Sequence, residues 1–292
     1  MKLELVTNAK AIIGESLLWV PEEGRLYWAD IKAPALYALD HASGETRRWE
    51  LPADLGGFAL DGKGRAFLAL RNGLHWLDLT SGALEMVAPP PFDTRLIRFN
   101  ESGCDSQGRF WVGTMTDPPA GVETTRTGAL YSYTSREGLR AYPDFSFITN
   151  GMAWSADERG MFLSRSEERT IYRYAYDVRS GRLGERQIFA IVEGEGIPDG
   201  AALDETGIYW CAIHGGWALH GYDPSGQLVE RVSLPVSQPT MCCFAGPDLD
   251  WLYISSARDG LDAAQIAREP QAGGLFRLQV NRRGQKRHWR VA

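Results

Sequence analysis

Short apolar runs recur along the chain, and each ends in a turn rich in Gly, Asp and Glu before a second, aromatic-rich run begins. Six stretches share this order: residues 15–20 with 25–30, 57–60 with 65–70, 100–104 with 109–114, 150–154 with 161–164, 199–203 with 208–212, and 240–244 with 251–255. A third apolar run follows in most of them, at 35–39, 73–77, 128–133, 170–174 and 274–278. Ser-Gly turns commonly come next, at positions 43–44, 81–82, 180–181 and 225–226. The runs have strand length and lack a sustained 3.6-residue apolar stripe, which argues for strands and against parallel β–α–β units.

The six units begin at positions 15, 57, 100, 150, 199 and 240, spaced by 42, 43, 50, 49 and 41 residues. Four strands of a propeller blade need about that length. The expected fold is therefore all-β, a six-bladed β-propeller of four-stranded antiparallel blades in a single domain over residues 1–292. An irregular β-sandwich whose turns merely look alike is the competing architecture. A ring must close to hide its sheet edges, and the candidate joining segments are residues 2–6 and 285–291.

Charge and composition narrow the partners. Lys plus Arg number 31 against 37 for Asp plus Glu, a net charge of −6 with no basic block, which disfavours nucleic acid. No apolar run reaches the ~18–20 residues that span a bilayer. Glu4 and Lys10 break what would be a signal-peptide core, so a cytoplasmic location is expected. Cys104, Cys211, Cys242 and Cys243 sit in strand-like contexts and read as buried thiols, not a disulfide scaffold.

Blades arranged radially point the starts of their innermost strands at a common axis, so residues far apart in sequence converge there. Glu15, Asn150 and Asp199 occupy three such starts, and Asn100 a fourth. Two carboxylates and an amide oxygen balance a divalent ion, and all-oxygen ligation suits Ca²⁺, Mg²⁺ or Mn²⁺ without excluding Zn²⁺ or Fe²⁺. Three protein ligands leave room for water and substrate. Taken singly, Asn150-Gly151 and Asp199-Gly200 also read as hairpin turns, and Glu15 as an ordinary surface acid. No phosphate-cradling loop opens a helix, and no convincing Ser/His/Asp set appears.

At these residues the chain resembles the senescence marker protein/gluconolactonase/regucalcin family of six-bladed propeller lactonases. The likeness is carried by Gly14-Glu15-Ser16, Tyr27-Trp28-Ala29-Asp30-Ile31, Arg98-Phe99-Asn100, Gly108 through Met115, Thr149-Asn150-Gly151, Ile197-Pro198-Asp199-Gly200, Cys242-Cys243-Phe244 and Ser256 through Gly260, in family order along essentially the whole chain. The resemblance implies one divalent metal ion (Ca, Zn, Mn, Mg or Fe) held by Glu15, Asn150 and Asp199. It implies a sugar-lactone substrate contacted by Arg98 and Asn100, with Asp199 as candidate general base. Members hydrolyse aldonolactones such as gluconolactone, xylonolactone or arabinolactone. Four positions depart from the family pattern: Glu101-Ser102 replaces Asp-Gly, Arg165 stands where Asp is common, Asp117-Pro118-Pro119 replaces a more acidic stretch, and His214 stands where Trp is frequent. All four are expected on or near the site face.

A lactone needs an electrophile on its carbonyl oxygen and a hydroxide equivalent at its carbonyl carbon, which a divalent ion and a base supply. Arg98 and Asn100, two residues apart on a strand, would face the same side. A few of the aromatic residues are candidates for lining a sugar site. The first reading is thus a metal-dependent aldonolactone hydrolase, a monomer or weak homo-oligomer. A non-catalytic metal- or ligand-binding propeller, or a hydrolase of another ester such as a phosphotriester or non-sugar lactone, are the alternatives.

Overall fold

The computed structural model describes residues 2–125 and 127–292. Twenty-four strands form six four-stranded antiparallel sheets. The innermost strands, in blade order, are Gly14–Val20, Leu55–Leu60, Ile97–Cys104, Thr149–Trp154, Ile197–Leu203 and Pro239–Ala245. Each pairs with the aromatic-rich run that follows it, so the six-bladed propeller expected from the spacing is the fold. The third runs form the third strands, with Ala218–Tyr222 completing the set in blade 5.

The innermost strands lose their inside–outside alternation because both faces are covered by neighbouring blades: Gly14–Val20, Leu55–Leu60 and Pro239–Ala245 are buried at every position. Alternation survives on the periphery, as in Thr170–Asp177. Between third and outer strands the Ser-Gly turns have a common cause. Asp40 and Asp78 each accept hydrogen bonds from the backbone N–H and the hydroxyl of the Ser three residues on, and the following Gly44 and Gly82 take φ of 76°, a conformation free of strain only for Gly.

Closure uses one of the two expected segments. Leu3–Thr7 pairs with Leu275–Gln279 as the outermost strand of blade 6, so first and last parts of the chain share one sheet. Residues 285–291 do not join a blade. They run across one face of the ring, held there by isolated contacts such as the parallel bridge between Leu60 and Arg290. Their sequence, Gln-Lys-Arg-His-Trp-Arg-Val, lacks the alternation a blade strand needs. All four cysteines are free and buried.

Deleting residues 1–7 exposes the free edge of Leu275–Gln279. The truncated protein is expected to melt well below the full chain and to self-associate, read by calorimetry and size-exclusion chromatography; unchanged melting would show that the blade 6 latch is dispensable.

Candidate active site

Every innermost strand carries a β-bulge near its start, seen as a register shift in the pairing with its second strand: after Glu15, Leu55, Asn100, Asn150, Pro198 and Pro239. A bulge inserts an unpaired residue and re-aims the side chains around it. Two non-glycine residues, Ser16 and Glu101, adopt positive φ (57° and 45°) at these bulges, and Gly151 takes 62°. In blade 2 the bulge falls at Gly56, where a Cβ would overlap the Phe99 carbonyl. That wall of the axis is therefore given over to the Arg98–Asn100 strand next door.

The result is an axial cavity of about 790 Å³ lined by Glu15, Arg98, Asn100, Asn150 and Asp199, together with Lys32, Asp117, Ser166, His214 and Thr240. All five residues picked out from the sequence meet there. A relay of hydrogen bonds ties three of them: Arg98 donates to Asn100 Oδ1 at 2.9 Å, Asn100 Nδ2 to Asn150 Oδ1 at 2.7 Å, and Asn150 Nδ2 to Ser166 Oγ at 2.9 Å. Ser166 in turn donates to the Pro198 carbonyl at 2.7 Å. The amides are thus locked before any ligand arrives.

Glu15 and Asp199 form no ion pair with a described Lys or Arg. Glu15 Oε2 accepts from the Ser16 N–H at 2.8 Å. Burial pushes its pKa up to about 7, against that hydrogen bond and the more distant Arg98 and Arg287. Burial, then repulsion from Glu15 and Glu101, drives Asp199 well above the usual carboxylate range, although its residue surface is only half-buried; it stands on the wall of the deep cavity. Glu101 lies beside them. Its Oε1 accepts from the Met152 N–H at 2.8 Å and its Oε2 has no described hydrogen-bond partner; burial and Glu15 raise it to about 8. Hard oxygen donors with uncompensated charge fit a divalent cation. Among the described residues no cluster of three or more His, Cys, Asp or Glu side chains is placed to hold a metal; the third oxygen would be the Asn150 amide.

A cluster of cations and carboxylates reaches the cavity through Lys32, Arg98 and Asp117. Lys32 and Arg71 both pair with Asp54, each at 3.1 Å, and both with Asp117, while Arg98 Nε lies 3.8 Å from Asp117. Three cations thus face two carboxylates. Burial would raise the Asp117 pKa, but Lys32, Arg98 and Arg71 outweigh it and hold the group below its ordinary value. Lys32 carried no motif that could have marked it, whereas Thr240 stands at the start of the sixth unit, the same position in the repeat as Glu15, Asn150 and Asp199, and was passed over. His214 lines the cavity as expected, and burial lowers its pKa so that it stays neutral. Arg165 stands near the site and not on it: it precedes the lining residues Ser166 and Glu167, pairs with Glu168 at 2.8 Å and stacks over Phe147 at 4.4 Å, and its own side chain does not line the cavity. No described lining residue is Phe, Tyr or Trp; those side chains fill the blades instead.

A six-bladed ring whose axis converges on buried carboxylates and amides defines a propeller with an axial polar site. Residues 13–258 match the SMP-30/Gluconolactonase/LRE-like region, and the chain belongs to that family. It is 35% identical over 282 residues to a 6-deoxy-6-sulfogluconolactonase of Pseudomonas putida, covering 96% of this chain and 95% of that one. Regucalcin of Gallus gallus is 32% identical, covering 95% and 94%. The crystal structure of a calcium-binding protein, regucalcin, from Agrobacterium tumefaciens superposes with a TM-score of 0.90 at 27% identity, covering 98% and 97%.

Glu15 and Glu101 have folded pKa values of about 7 and 8 against 4.5 for an ordinary Glu. Between those limits the folded state holds protons that the unfolded chain has lost, so stability in chelator falls as pH rises from about 4.5 to 8. Replacing Glu101 by Gln keeps an acceptor for Met152 and removes the charge. The melting temperature of E101Q at pH 8 in chelator is expected to exceed the parent's by about 2–4 °C, with the gap closing at pH 5; parallel pH curves for the two proteins would refute the assignment.

Proposed function

We propose that the protein hydrolyses sugar lactones to aldonic acids, with Glu15, Asn150 and Asp199 holding one divalent cation and Arg98 and Asn100 contacting the substrate. The observation that carries this reading is the convergence of all five on one cavity, where two carboxylates form no ion pair with any described Lys or Arg. Family membership supports the lactonase class, as does the relative bearing the sulfogluconolactonase name.

When bound, the cation would polarise the lactone carbonyl and acidify a water. Burial and its acidic neighbours make the Asp199 carboxylate more basic than an ordinary one, and in its ionised form it is suited to receive the proton of the attacking water and return it to the leaving ring oxygen. Arg98 is held by the Asn100 amide and the Phe99 carbonyl, both at 2.9 Å, and its remaining donors serve substrate hydroxyls or the carboxylate that develops as the ring opens. The guanidinium of Arg98 and the ammonium of Lys32, both at the cavity wall, offer donors to a polar or anionic far end of the lactone. Together with the relative that bears the sulfogluconolactonase name, this makes a 6-sulfonated gluconolactone a substrate to compare with gluconolactone, xylonolactone and arabinolactone. A purely ligand-binding propeller loses one of its supports, since Arg165 lies off the cavity wall.

A pH-stat assay on that panel, with and without chelator, tests the reading. Turnover is expected to vanish on chelation and return with added divalent ion. D199N is expected to lose about 10²–10⁴-fold in kcat. Chelator-resistant turnover would remove the metal, near-parental D199N would remove the base, and no turnover above the spontaneous rate would leave a binding protein.

A further inference from the structure

The C-terminal segment crosses the face of the ring opposite the cavity and touches every blade. Gly284 N–H donates to the Leu249 carbonyl of blade 6 at 2.7 Å, and Gln285 N–H to Leu203 of blade 5 at 2.9 Å. The Gln285 side chain donates to the Trp154 carbonyl of blade 4 at 3.0 Å. Trp289 packs in the core between blades 1 and 2, and its carbonyl accepts from Leu60 N–H of blade 2 at 3.1 Å. Ala292 N–H reaches the Gly108 carbonyl of blade 3 at 2.9 Å.

At the middle of this strap stands Arg287. Its guanidinium donates to the Leu17 carbonyl at 3.2 Å and to the Ser102 carbonyl at 3.1 Å. These two acceptors are not ordinary ladder carbonyls. Ser16 and Leu17 together oppose Trp28, so Leu17 lies inside the bulge that turns Glu15 to the axis. Ser102 directly follows the extra residue, Glu101, of the bulge that carries Asn100. One planar fork therefore joins the bulge of blade 1 to that of blade 3, from beneath the cavity. A guanidinium spans two acceptors in fixed geometry, which an ammonium on a flexible stem does not.

We propose that Arg287 is a positioning residue that sets the separation of the Glu15 wall from the Asn100–Glu101 wall by pinning both bulges from the opposite face. The proposal rests on Glu15 and Asn100 being site residues. It makes the last ten residues of the chain part of the site's construction, although none of them reaches the ligand side.

Two effects of Arg287 are separable. R287K keeps the charge and loses the bridge; R287M loses both. Two backbone amides report carboxylate placement directly and without a metal: Ser16 N–H, bonded to Glu15, and Met152 N–H, bonded to Glu101. In hydrogen exchange resolved to single residues, both amides are expected to exchange at least about tenfold faster in R287K and R287M than in the parent. R290A, which removes the exposed pair with Glu22 and the stacking of Arg290 over Trp289 on the same strap but no bond to a bulge, is expected to leave them within about twofold. In calorimetry with Ca²⁺ and then Mn²⁺, both Arg287 variants are expected to bind at least about fivefold more weakly. Parental protection in both variants, or tighter cation binding by R287M with parental behaviour of R287K, would overturn the proposal in favour of a charge effect alone. If the parent binds neither ion, the metal reading fails while the exchange data still decide the role of Arg287.

Discussion

Six bulges at one level around the axis create the constraint on which the molecule depends. Each removes backbone groups from their ladder in a region sealed from water, and a buried unpaired group costs about 1–3 kcal/mol. The chain meets this with side chains from neighbouring blades. Tyr209 OH donates to the Gly151 carbonyl at 2.7 Å, Ser102 Oγ to Phe58 at 3.3 Å, Thr240 Oγ1 to Gly14, and Glu101 accepts from Met152 N–H. Every one of these bonds crosses a blade boundary. The network that satisfies the bulges is also the network that locks the blades together, so site geometry and ring integrity are one problem.

Charge distribution follows from the same arrangement. The acids come from bulges and their neighbours, which face the axis, while Lys32 and Arg71 come from loops at the ends of second strands, nearer the rim. Arg98 bridges the two zones. The cavity therefore combines acids along the axis with a cluster of cations around Asp117, and apolar side chains such as Ile13, Met115, Ile148 and Ile197 fill much of the remaining wall. Among the described lining residues the one class of large stacking side chain, Phe, Tyr or Trp, is missing, and the imidazole of His214 supplies the aromatic ring.

The two ends of the chain do different work in closing the ring. Leu3–Thr7 hides a sheet edge by adding a strand, a role its alternating sequence suits. The C-terminal strap hides the lower end of the axis and contributes a fork of donors where bulge carbonyls would otherwise lack partners. A second strand at that end would have satisfied one blade's edge and left the floor open.

The blade period, the turn chemistry and the order of strands were legible in the chain, because a propeller repeats a local unit and local rules of alternation and turn formation apply within each copy. Glu15, Asn100, Asn150 and Asp199 were legible too, since they stand at equivalent starts of that unit, and Arg98 through its place in the Arg98-Phe99-Asn100 stretch. What the tertiary structure alone decided is where non-repeating residues fall. Arg165 was expected on or near the site face; its side chain pairs with Glu168 and stacks over Phe147, while His214, the equivalent last residue of the next blade's second strand, lines the cavity. Lys32 and Asp117, 85 residues apart, pair across two blades. Arg287 belongs to a segment without motif or period, and only closure of the ring brings the carbonyls of residues 17 and 102 within reach of one guanidinium. Contacts across the axis depend on the curvature of the whole ring, a property that no single repeat contains.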